Sequence, residues 1–179
     1  MTTFAEEKSK TFGYLTLGEV YLMKKMAITI PEDGVIVNVG AGAGTSGLAY
    51  RETCPKAKIY TVDFRDSHPE GGLQNERNAF EIAGLSHCLP TQILSDSKEA
   101  GKKWKNGIID LLFIDAEHSY EGCKGDIMAW LPHVRSGGLL LIHDYHPLVW
   151  SDVIRAANEF FTRDQCIGYI DTLIAFTVT

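Results

Sequence analysis

The sequence predicts an α/β fold in which a mainly parallel β-sheet is covered by helices on both faces. Segments typical of strands alternate with segments whose apolar residues recur at helical spacing along most of the chain. The strand segments are apolar almost throughout, as expected of strands that are buried on both faces. The 179 residues, 45% of them hydrophobic, suffice for one well-buried core. We therefore expect a single domain, residues 1–179, with an N-terminal helical segment (1–30) before the sheet region (31–179).

The predicted helices and strands follow one another in a regular order. A capping box, "TLGE" from Thr16 to Glu19, begins the first helix, and "PEDG" ends it as a turn. Five strands follow, in the segments "VIVNV", "KIYTVD", "PTQILSDS", "IIDLLFID" and "LLLIHDY". The helices between them are predicted from about Ser46 to Thr53, in "LQNERNAFEIAG" up to Gly84, from about Lys98 to Lys105, and from Tyr120 to Val134, where "RSGG" closes the last one.

The C-terminal part of the chain departs from this alternation. A helix from about Ser151 to Thr162 is followed by "CIGYIDTLIAFTVT", which is typical of two strands joined at Asp171 and Thr172. Because so short a connection leaves no room for a crossover, these two strands must be antiparallel.

Charge and composition exclude several classes of function. A net charge of −6 argues against general nucleic-acid binding, because nonspecific affinity for phosphates needs clustered Lys and Arg. No apolar run approaches the roughly 20 residues of a membrane span, and the N-terminus lacks an apolar signal region, so we expect a cytoplasmic protein without a membrane partner. The four cysteines have no paired spacing, which predicts neither a zinc site nor disulfides.

Polar residues follow each of the five predicted parallel strands. With right-handed crossovers, the carboxyl ends of parallel strands lie on one edge of the sheet, and ligands bind outside that edge where the strand order reverses. The clusters that this rule brings together are Gly40 to Gly44, Asp63, Asp96 with Ser97, Asp115 to His118, and His143 to His146. Their common location predicts a functional site.

The glycine cluster and Asp63 favour a nucleoside ligand. The glycines let the backbone approach a ligand closely, and Asp63, about 20 residues further on, can accept hydrogen bonds from ribose hydroxyls. "GAGTSG", Gly42 to Gly47, also matches the dinucleotide pattern GxGxxG, so an NAD(P)-dependent oxidoreductase is an alternative. Against this alternative, no residues remain for a separate substrate domain. The acidic and imidazole groups after the fourth and fifth strands would also have no obvious task beside a nicotinamide.

Longer motifs resemble a known family. They are "VNVGAGAGTS", "YTVDFRD", "SDSKE", "FIDAEHSYEGCKGDIMAWLPHVRSGGLLLIHDY" and the closing hairpin. They resemble the class I S-adenosylmethionine-dependent methyltransferases, closest to the small-molecule O-methyltransferases of family 24, which include catechol and macrolide-sugar enzymes. The resemblance covers about Thr16 to Thr179. It implies a Rossmann-like, doubly wound sheet of seven strands in the order 3214576, with strand 7 antiparallel and helices on both faces.

The resemblance implies that S-adenosylmethionine is the cofactor. The glycine loop would wrap its methionine part, Ser46 would meet its carboxylate, and Asp63 would hold the ribose. Asp96 and Ser97 would lie beside the adenine. The implied cofactor-binding residues are Asn38, Gly40, Ala41, Gly42, Ser46, Asp63, Asp96, Ser97 and Asp115. Asn38 occupies a position where the family leads one to expect an acid, so its amide can form hydrogen bonds but carries no charge.

The resemblance also implies the catalytic residues, His118 and Asp115. His118 would accept the proton of the acceptor hydroxyl, and an unperturbed histidine pKa of about 6.5 suits this task near neutral pH. Asp115, His143 and Asp144 would hold a divalent metal ion, magnesium, manganese or another, that binds the substrate oxygen and lowers its pKa. An acid is expected at position 143, and an imidazole there suits manganese, iron or zinc better than a site made of oxygens alone.

We therefore expect an S-adenosylmethionine-dependent methyltransferase (EC 2.1.1) that methylates an oxygen of a small hydroxylated molecule. Two alternatives remain open, the NAD(P)-dependent oxidoreductase and a non-catalytic protein that binds S-adenosylmethionine. The segment before the first strand and the loop after the fifth are short, which leaves open a homodimer whose second subunit supplies the lid over the acceptor.

Overall fold

A computed structural model describes residues 2–12 and 14–179 of the chain. Met1 and Gly13, which belong to the predicted N-terminal helical segment, lie outside the described residues. Two helices precede the sheet, α1 (Phe4–Phe12) and α2 (Leu17–Ala27). The predicted capping box is confirmed, because the Thr16 hydroxyl accepts a hydrogen bond from the Glu19 backbone and the Glu19 carboxylate accepts one from the Thr16 backbone.

The rest of the chain alternates strands with helices, as predicted. The strands are β1 (Val35–Val39), β2 (Lys58–Asp63), β3 (Thr91–Leu94), β4 (Ile109–Ile114), β5 (Val134–Ile142), β6 (Cys166–Ile170) and β7 (Leu173–Thr177). The helices are α3 (Thr45–Thr53), α4 (Leu73–Ile82), α5 (Ser97–Lys102), α6 (Tyr120–Trp130) and α7 (Ser151–Ala157). The sheet has the order β3-β2-β1-β4-β5-β7-β6, with β7 antiparallel to both of its neighbours. The predicted strand order and the antiparallel hairpin are confirmed.

Each face of the sheet carries its own apolar core. Helices α1 to α4 pack on one face, where Ile36 and Leu111 are fully buried, and α5 to α7 pack on the other, where Val37 and Leu112 are fully buried. Neighbouring residues of one strand serve opposite faces because side chains alternate along a strand. The helices change face after β3, so the strand order reverses between β1 and β4. This reversal opens a crevice at the carboxyl ends of these two strands.

The predicted boundary between α6 and β5 is wrong. The helix ends at Trp130 rather than at Val134, and one turn of 3₁₀-helix that contains Pro132 follows it. Proline has no N–H group with which to continue an α-helix. Val134 begins β5, where it pairs with Ile109, and "RSGG" belongs to this strand as an irregular stretch before regular pairing resumes.

Two other helices end earlier than predicted. Helix α5 ends at Lys102 instead of Lys105, and α7 ends at Ala157 instead of Thr162. After α7, the N–H groups of residues 160 and 161 both donate to the carbonyl oxygen of Ala157. They close a turn there, and the chain does not continue the helix.

The helices and the cysteines concern two expectations from the composition, about membrane spans and about disulfides. Within residues 2–12 and 14–179, no helix combines the length and the apolar character that crossing a bilayer requires. Cys54, Cys88, Cys123 and Cys166 are all free thiols.

Candidate active site

The polar clusters after the parallel strands meet at one cavity. It has a volume of about 920 Å³ and lies at the carboxyl ends of the sheet. The predicted site residues that line it are Gly40, Gly42, Asp63, Asp96, Ser97, Asp115, His118, His143 and Asp144. Tyr14, Phe64 and Trp150 contribute aromatic side chains to its wall. The structure thus brings these residues together at one rim, and their individual roles remain predictions.

Three predicted cofactor-binding residues are buried behind the cavity wall. Asn38 is fully buried on β1, and its amide nitrogen donates a hydrogen bond to Oγ1 of Thr61 over 3.4 Å. Ala41 and Ser46 are only 2% and 5% exposed. Direct contact of these side chains with a cofactor stays a prediction, and Asn38 in particular is engaged inside the sheet.

The loop after β1 needs glycine at two positions for different reasons. Gly40 has a φ of +99°, and a Cβ atom there would overlap the carbonyl oxygen of Asp115. Gly42 has a φ of +49°, and a Cβ atom there would meet no atom within 4 Å. The loop therefore packs tightly against the end of β4 at Gly40 and leaves open space at Gly42. Such a cradle lets a ligand approach the backbone closely.

Asp63, the last residue of β2, holds this loop in place. Its Oδ2 atom accepts a hydrogen bond from the backbone N–H of Ala41 at 3.0 Å, and its Oδ1 atom accepts one from Arg65 at 2.8 Å. Each carboxylate oxygen can accept a second hydrogen bond. Asp63 lines the cavity and is 5% exposed, and its contact with a ribose stays a prediction.

Beside the end of β3, the cavity is lined by two predicted residues and by a third that the sequence analysis missed. Asp96 caps α5 by accepting a hydrogen bond from the Glu99 backbone, and Oγ of Ser97 accepts one from the indole N–H of Trp130. Asp126 on α6 also lines the cavity, is 1% exposed, and has no aligned hydrogen-bond partner among the described residues. Burial raises its pKa to about 6. Its position within the apolar stripe of α6 was the available signal.

His118 lies beside both acids of the predicted metal site. Its Nε2 atom is 2.7 Å from Oδ2 of Asp144 and 3.8 Å from Oδ1 of Asp115. Its ring packs on the Trp150 indole, with ring centroids 4.5 Å apart. Interaction with Asp115 first and with Asp144 second raises the pKa of His118 to about 9. In the absence of another cation, this imidazole is therefore protonated at neutral pH.

His143 is a second imidazole in contact with the same acids. It is 7% exposed, and its Nδ1 atom lies 3.2 Å from Oδ1 of Asp115 and 3.2 Å from Oδ2 of Asp144. Burial alone would lower the pKa of His143, but the charge of Asp115 and the other carboxylates outweighs burial and raises it to about 12. Burial would raise the pKa of Asp144, but the two imidazoles hold it at about 2. The pKa of Asp115 is also lowered, for the same reason.

Glu19 contacts the outer nitrogen of His143, which sequence reasoning missed. Its Oε2 atom lies 3.3 Å from Nε2 of His143, and the residue is 1% exposed. Burial would raise the pKa of Glu19, but the interaction with His143 lowers it to about 2. The sequence identified Glu19 only as a member of a capping box, which is a local signal.

The donor set at this rim fits a divalent cation. Ligand atoms of Asp115, His118 and Asp144 all lie within 4.8 Å of one another. Among the described residues, neither Nε2 of His118 nor Nδ1 of His143 has an aligned hydrogen-bond partner, although both are buried against carboxylates. Buried donors that converge on two acids without good hydrogen-bond geometry are what a metal site offers. The predicted set of Asp115, His143 and Asp144 therefore offers donors that fit a divalent cation, and His118 adjoins both acids.

The fold and the cavity define the protein as a class I methyltransferase, with a glycine loop after β1 and an acid at the end of β2. The sequence profile of the methyltransferase domain family 24 matches residues 37–145, which is more than half of the chain. The chain therefore belongs to this family of methyltransferase domains.

Solved structures with similar folds include two O-methyltransferases. NovP has a TM-score of 0.75 at 14% identity, and the match covers 92% of this chain and 81% of that one. TomG from Streptomyces achromogenes, involved in tomaymycin synthesis and solved in complex with S-adenosylmethionine, has a TM-score of 0.70 at 15% identity. That match covers 98% of this chain and 88% of TomG. At these identities the likeness shows the fold alone.

Two curated proteins are similar to parts of the sequence. The HTH-type transcriptional regulator MalT of Serratia proteamaculans is 27% identical over 146 residues, which is 80% of this chain and 14% of the regulator. The uncharacterized protein R132 of Acanthamoeba polyphaga mimivirus is 35% identical over 65 residues, 36% of this chain and 29% of that protein. The chain thus spans less than a third of the length of either relative.

Proposed function

We propose that this methyltransferase transfers the methyl group of S-adenosylmethionine to an oxygen atom of a small hydroxylated molecule. The observation that carries the proposal is the position of His118, which lies at the cavity between Trp150 and the acids Asp115 and Asp144. A hydroxyl group needs a proton acceptor at the reacting atom, and histidine is the side chain that most often serves as one. The fold shared with the O-methyltransferases NovP and TomG supports the same chemistry.

The cofactor would occupy the end of the cavity formed by β1, β2 and β3. The loop at Gly40 and Gly42 would follow its methionine part, Asp63 would accept hydrogen bonds from the ribose, and Asp96 with Ser97 would border the adenine. A sulfonium methyl group is already activated, so the chain has to align the acceptor with it and remove a proton.

The electrostatics of the acceptor end support a metal ion in this chemistry. His118 can accept a proton only when it is neutral, and its two carboxylate neighbours favour the protonated ring. Asp115, His143 and Asp144 would hold the ion, which when bound would offset these carboxylates and lower the pKa of the acceptor hydroxyl. An imidazole among the donors suits manganese, iron or zinc.

The two histidines differ in a way that supports separate roles. His143 is 7% exposed and contacts charged groups at both ring nitrogens, whereas the His118 side chain is 32% exposed. A ligand to a resident ion benefits from a fixed orientation, and a proton acceptor must reach both the substrate and water. We therefore assign His143 the role of a ligand to the ion and His118 the role of the proton acceptor.

The cavity matches the size of the proposed ligands. Its volume of about 920 Å³ lies near the top of the range of about 300–1,000 Å³ for small-molecule sites. The aromatic side chains of Tyr14 and Trp150 line the wall. Such a cavity is suited to a cofactor together with a small acceptor, and the aromatic faces favour an acceptor with a flat or apolar part.

Incubation with methyl-labelled S-adenosylmethionine and a panel of phenols, catechols and sugars tests the proposal. Label should appear in at least one hydroxylated acceptor, and a chelator should reduce its transfer. Transfer to amines or thiols alone would overturn the proposal of an oxygen acceptor. Binding of S-adenosylhomocysteine without turnover on any acceptor class would favour the non-catalytic alternative, and binding of NADH instead would favour the oxidoreductase.

A further inference from the structure

We propose that Glu19 is a positioning residue which, through Nε2 of His143, directs Nδ1 of that imidazole at Asp115 and Asp144 as a ligand to a divalent ion. The inference rests on the proposed function, since it assumes that an ion acts at this rim. It assigns to the N-terminal helix α2, outside the strands that form the rim, a direct part in building the site.

The hydrogen-bond pattern around His143 fixes which ring nitrogen carries a proton. The Thr172 hydroxyl donates to Oε1 of Glu19 at 2.7 Å and lies 3.3 Å from Nε2 of His143. Because this hydroxyl proton is directed to Glu19, the Thr172 oxygen can only accept from His143. Oε2 of Glu19, 3.3 Å from the same nitrogen, is also an acceptor. Nε2 therefore bears a proton, and the opposite nitrogen, Nδ1, faces the two acids.

Glu19 is rigidly held, so it can impose this orientation. It is 1% exposed and accepts hydrogen bonds from the backbone N–H of Thr16 at 2.7 Å and from the backbone N–H of Thr172 at 2.9 Å. Thr16 precedes α2, and Thr172 lies in the turn between β6 and β7. A carboxylate that accepts the outer N–H of a ligating histidine fixes the tautomer and raises the basicity of the metal-facing nitrogen.

The geometry on the inner side of the ring favours an ion over a simple ion pair. Nδ1 of His143 is 3.2 Å from an oxygen of Asp115 and 3.2 Å from an oxygen of Asp144, with no aligned hydrogen bond to any described residue. A structural ion pair would direct an N–H at one of the two oxygens. Equal spacing from both oxygens instead directs Nδ1 and the two carboxylates at a shared point, where an ion would displace the Nδ1 proton and take up the lone pair that this releases.

Titration with Co²⁺, followed by calorimetry and by visible absorption, tests the inference without any acceptor. Glu19→Gln keeps the shape of the side chain and a residue type that suits a capping box, but removes the charge beside His143. We expect its Co²⁺ affinity to fall by about ten- to hundredfold, as is typical when the partner of a ligating histidine is lost. Its affinity for S-adenosylhomocysteine should stay within twofold of the wild type.

Thr16→Ala is the matched control for the structural role of the capping box. It removes the cap side chain but keeps the backbone N–H that bonds Glu19, so it should lower the melting temperature and leave the Co²⁺ affinity within twofold. If Glu19→Gln does not fold, Thr172→Val replaces it, because this change removes the hydroxyl that bonds both Glu19 and His143. It should also weaken Co²⁺ binding.

Two results would overturn the inference. One is a folded Glu19→Gln or Thr172→Val variant with wild-type Co²⁺ affinity and an unchanged absorption spectrum. The other is a wild-type chain that binds no Co²⁺ at all. Neither result would decide whether the chain transfers methyl groups to oxygen, which is tested separately by transfer of labelled methyl groups, although the second would also count against the proposed metal ion.

Discussion

The Nε2 atom of His118 lies 2.7 Å from the Oδ2 atom of Asp144. The two residues follow β4 and β5, which are adjacent and parallel, with Ile114 paired to Ile142 at the ends of the strands. An imidazole and an acid therefore meet at the cavity because of strand topology, although they are distant along the chain. Interaction with Asp115 and then this contact with Asp144 raise the pKa of His118 above that of an isolated imidazole.

Replacement of His118 by glutamine should lower the rate of methyl transfer by about 10²- to 10⁴-fold, the usual contribution of a general base. Affinity for S-adenosylhomocysteine should stay unchanged, because His118 lies at the proposed acceptor end of the cavity. Rates at saturating acceptor, together with calorimetry, check both points. The control is His133→Gln, whose ring bonds the Gly101 carbonyl oxygen away from the cavity. Equal rates for wild type and His118→Gln would refute the assignment.

Replacement of Asp144 by asparagine should lower the pKa of His118 in the metal-free protein. The carboxylate stabilises the imidazolium, so its loss should move the pKa from about 9 toward the ordinary value of 6.5. Because the folded pKa is raised, this contact stabilises the fold below pH 6.5, and the stabilisation disappears as the pH rises through about 9. NMR titration of the histidines and denaturation at several pH values measure both effects. An unshifted His118 pKa in the variant would contradict this prediction.

Replacement of Asp63 by asparagine should weaken S-adenosylhomocysteine binding. A charged acceptor on the ribose contributes about 1.5–3 kcal/mol, which corresponds to roughly ten- to hundredfold in affinity. Asp66→Asn is a suitable control, because Asp66 is more exposed and pairs with Arg77 outside the cavity wall. The assignment fails if calorimetry gives the two variants the same affinity.

Alanine at Gly40 and alanine at Gly42 should have different consequences. At Gly40 the new Cβ atom would overlap the Asp115 carbonyl oxygen in addition to the strain of a φ of +99°, so we expect little folded protein. At Gly42 the Cβ atom meets nothing within 4 Å, so the fold should survive with a loss of about 1 kcal/mol. Because Gly42 lines the cavity, its variant should bind S-adenosylhomocysteine more weakly. Thermal unfolding and calorimetry of both variants separate these effects, and equal stabilities would contradict them.

Glu76 makes the stability of the fold depend on pH. It is fully buried on α4 and accepts hydrogen bonds from Thr61 and Gln92, yet burial raises its pKa from 4.5 to about 7. Since the folded state holds this proton more tightly than the unfolded chain, the stabilisation is complete below pH 4.5 and is lost as the pH rises through about 7.

Glu76→Gln should remove that dependence. The free energy of unfolding of Glu76→Gln minus that of the wild type should be about 3 kcal/mol larger above pH 7.5 than at pH 4.5. A pKa shift of this size implies such a difference. Urea denaturation at both pH values measures the difference. Glu81→Gln, an exposed change on the same helix, should show no such effect. A difference in free energy of unfolding between Glu76→Gln and the wild type that is the same at pH 4.5 and pH 7.5 would rule out a buried, protonated Glu76.

The strands and the shared rim could be predicted because their signals are local, whereas the strand order was expected from the resemblance to the methyltransferase family. Apolar runs that end in polar residues, such as "FIDAEH" and "LIHDY", mark the strands and their carboxyl ends. Topology rules for parallel sheets then place these ends on one edge of the sheet, where ligands bind. The start of β5 was missed because "RSGG" is typical of a loop. Pairing of Val134 with Ile109 overrides that local preference.

Glu19 and Asp126 could not be assigned to the site by the same means. Glu19 meets Thr172 across 153 positions of the sequence, so nothing near it indicates the contact with His143. The sequence contains a weak signal for Asp126, because it is an acid between Cys123 and Ile127 on a helix face that is otherwise apolar. Both depend on how α2 and α6 pack against the sheet, which the periodicity of a single segment does not specify.

The atom that receives the methyl group tests the central claim most directly. The chain, loaded with ¹³C-methyl S-adenosylmethionine and given a hydroxylated acceptor that turns over, should yield a product whose labelled carbon is shown by NMR to be bonded to oxygen. His118→Gln should yield almost none of that product in the same time. A labelled methyl group on nitrogen, sulfur or carbon, or one formed equally fast without His118, would contradict the account.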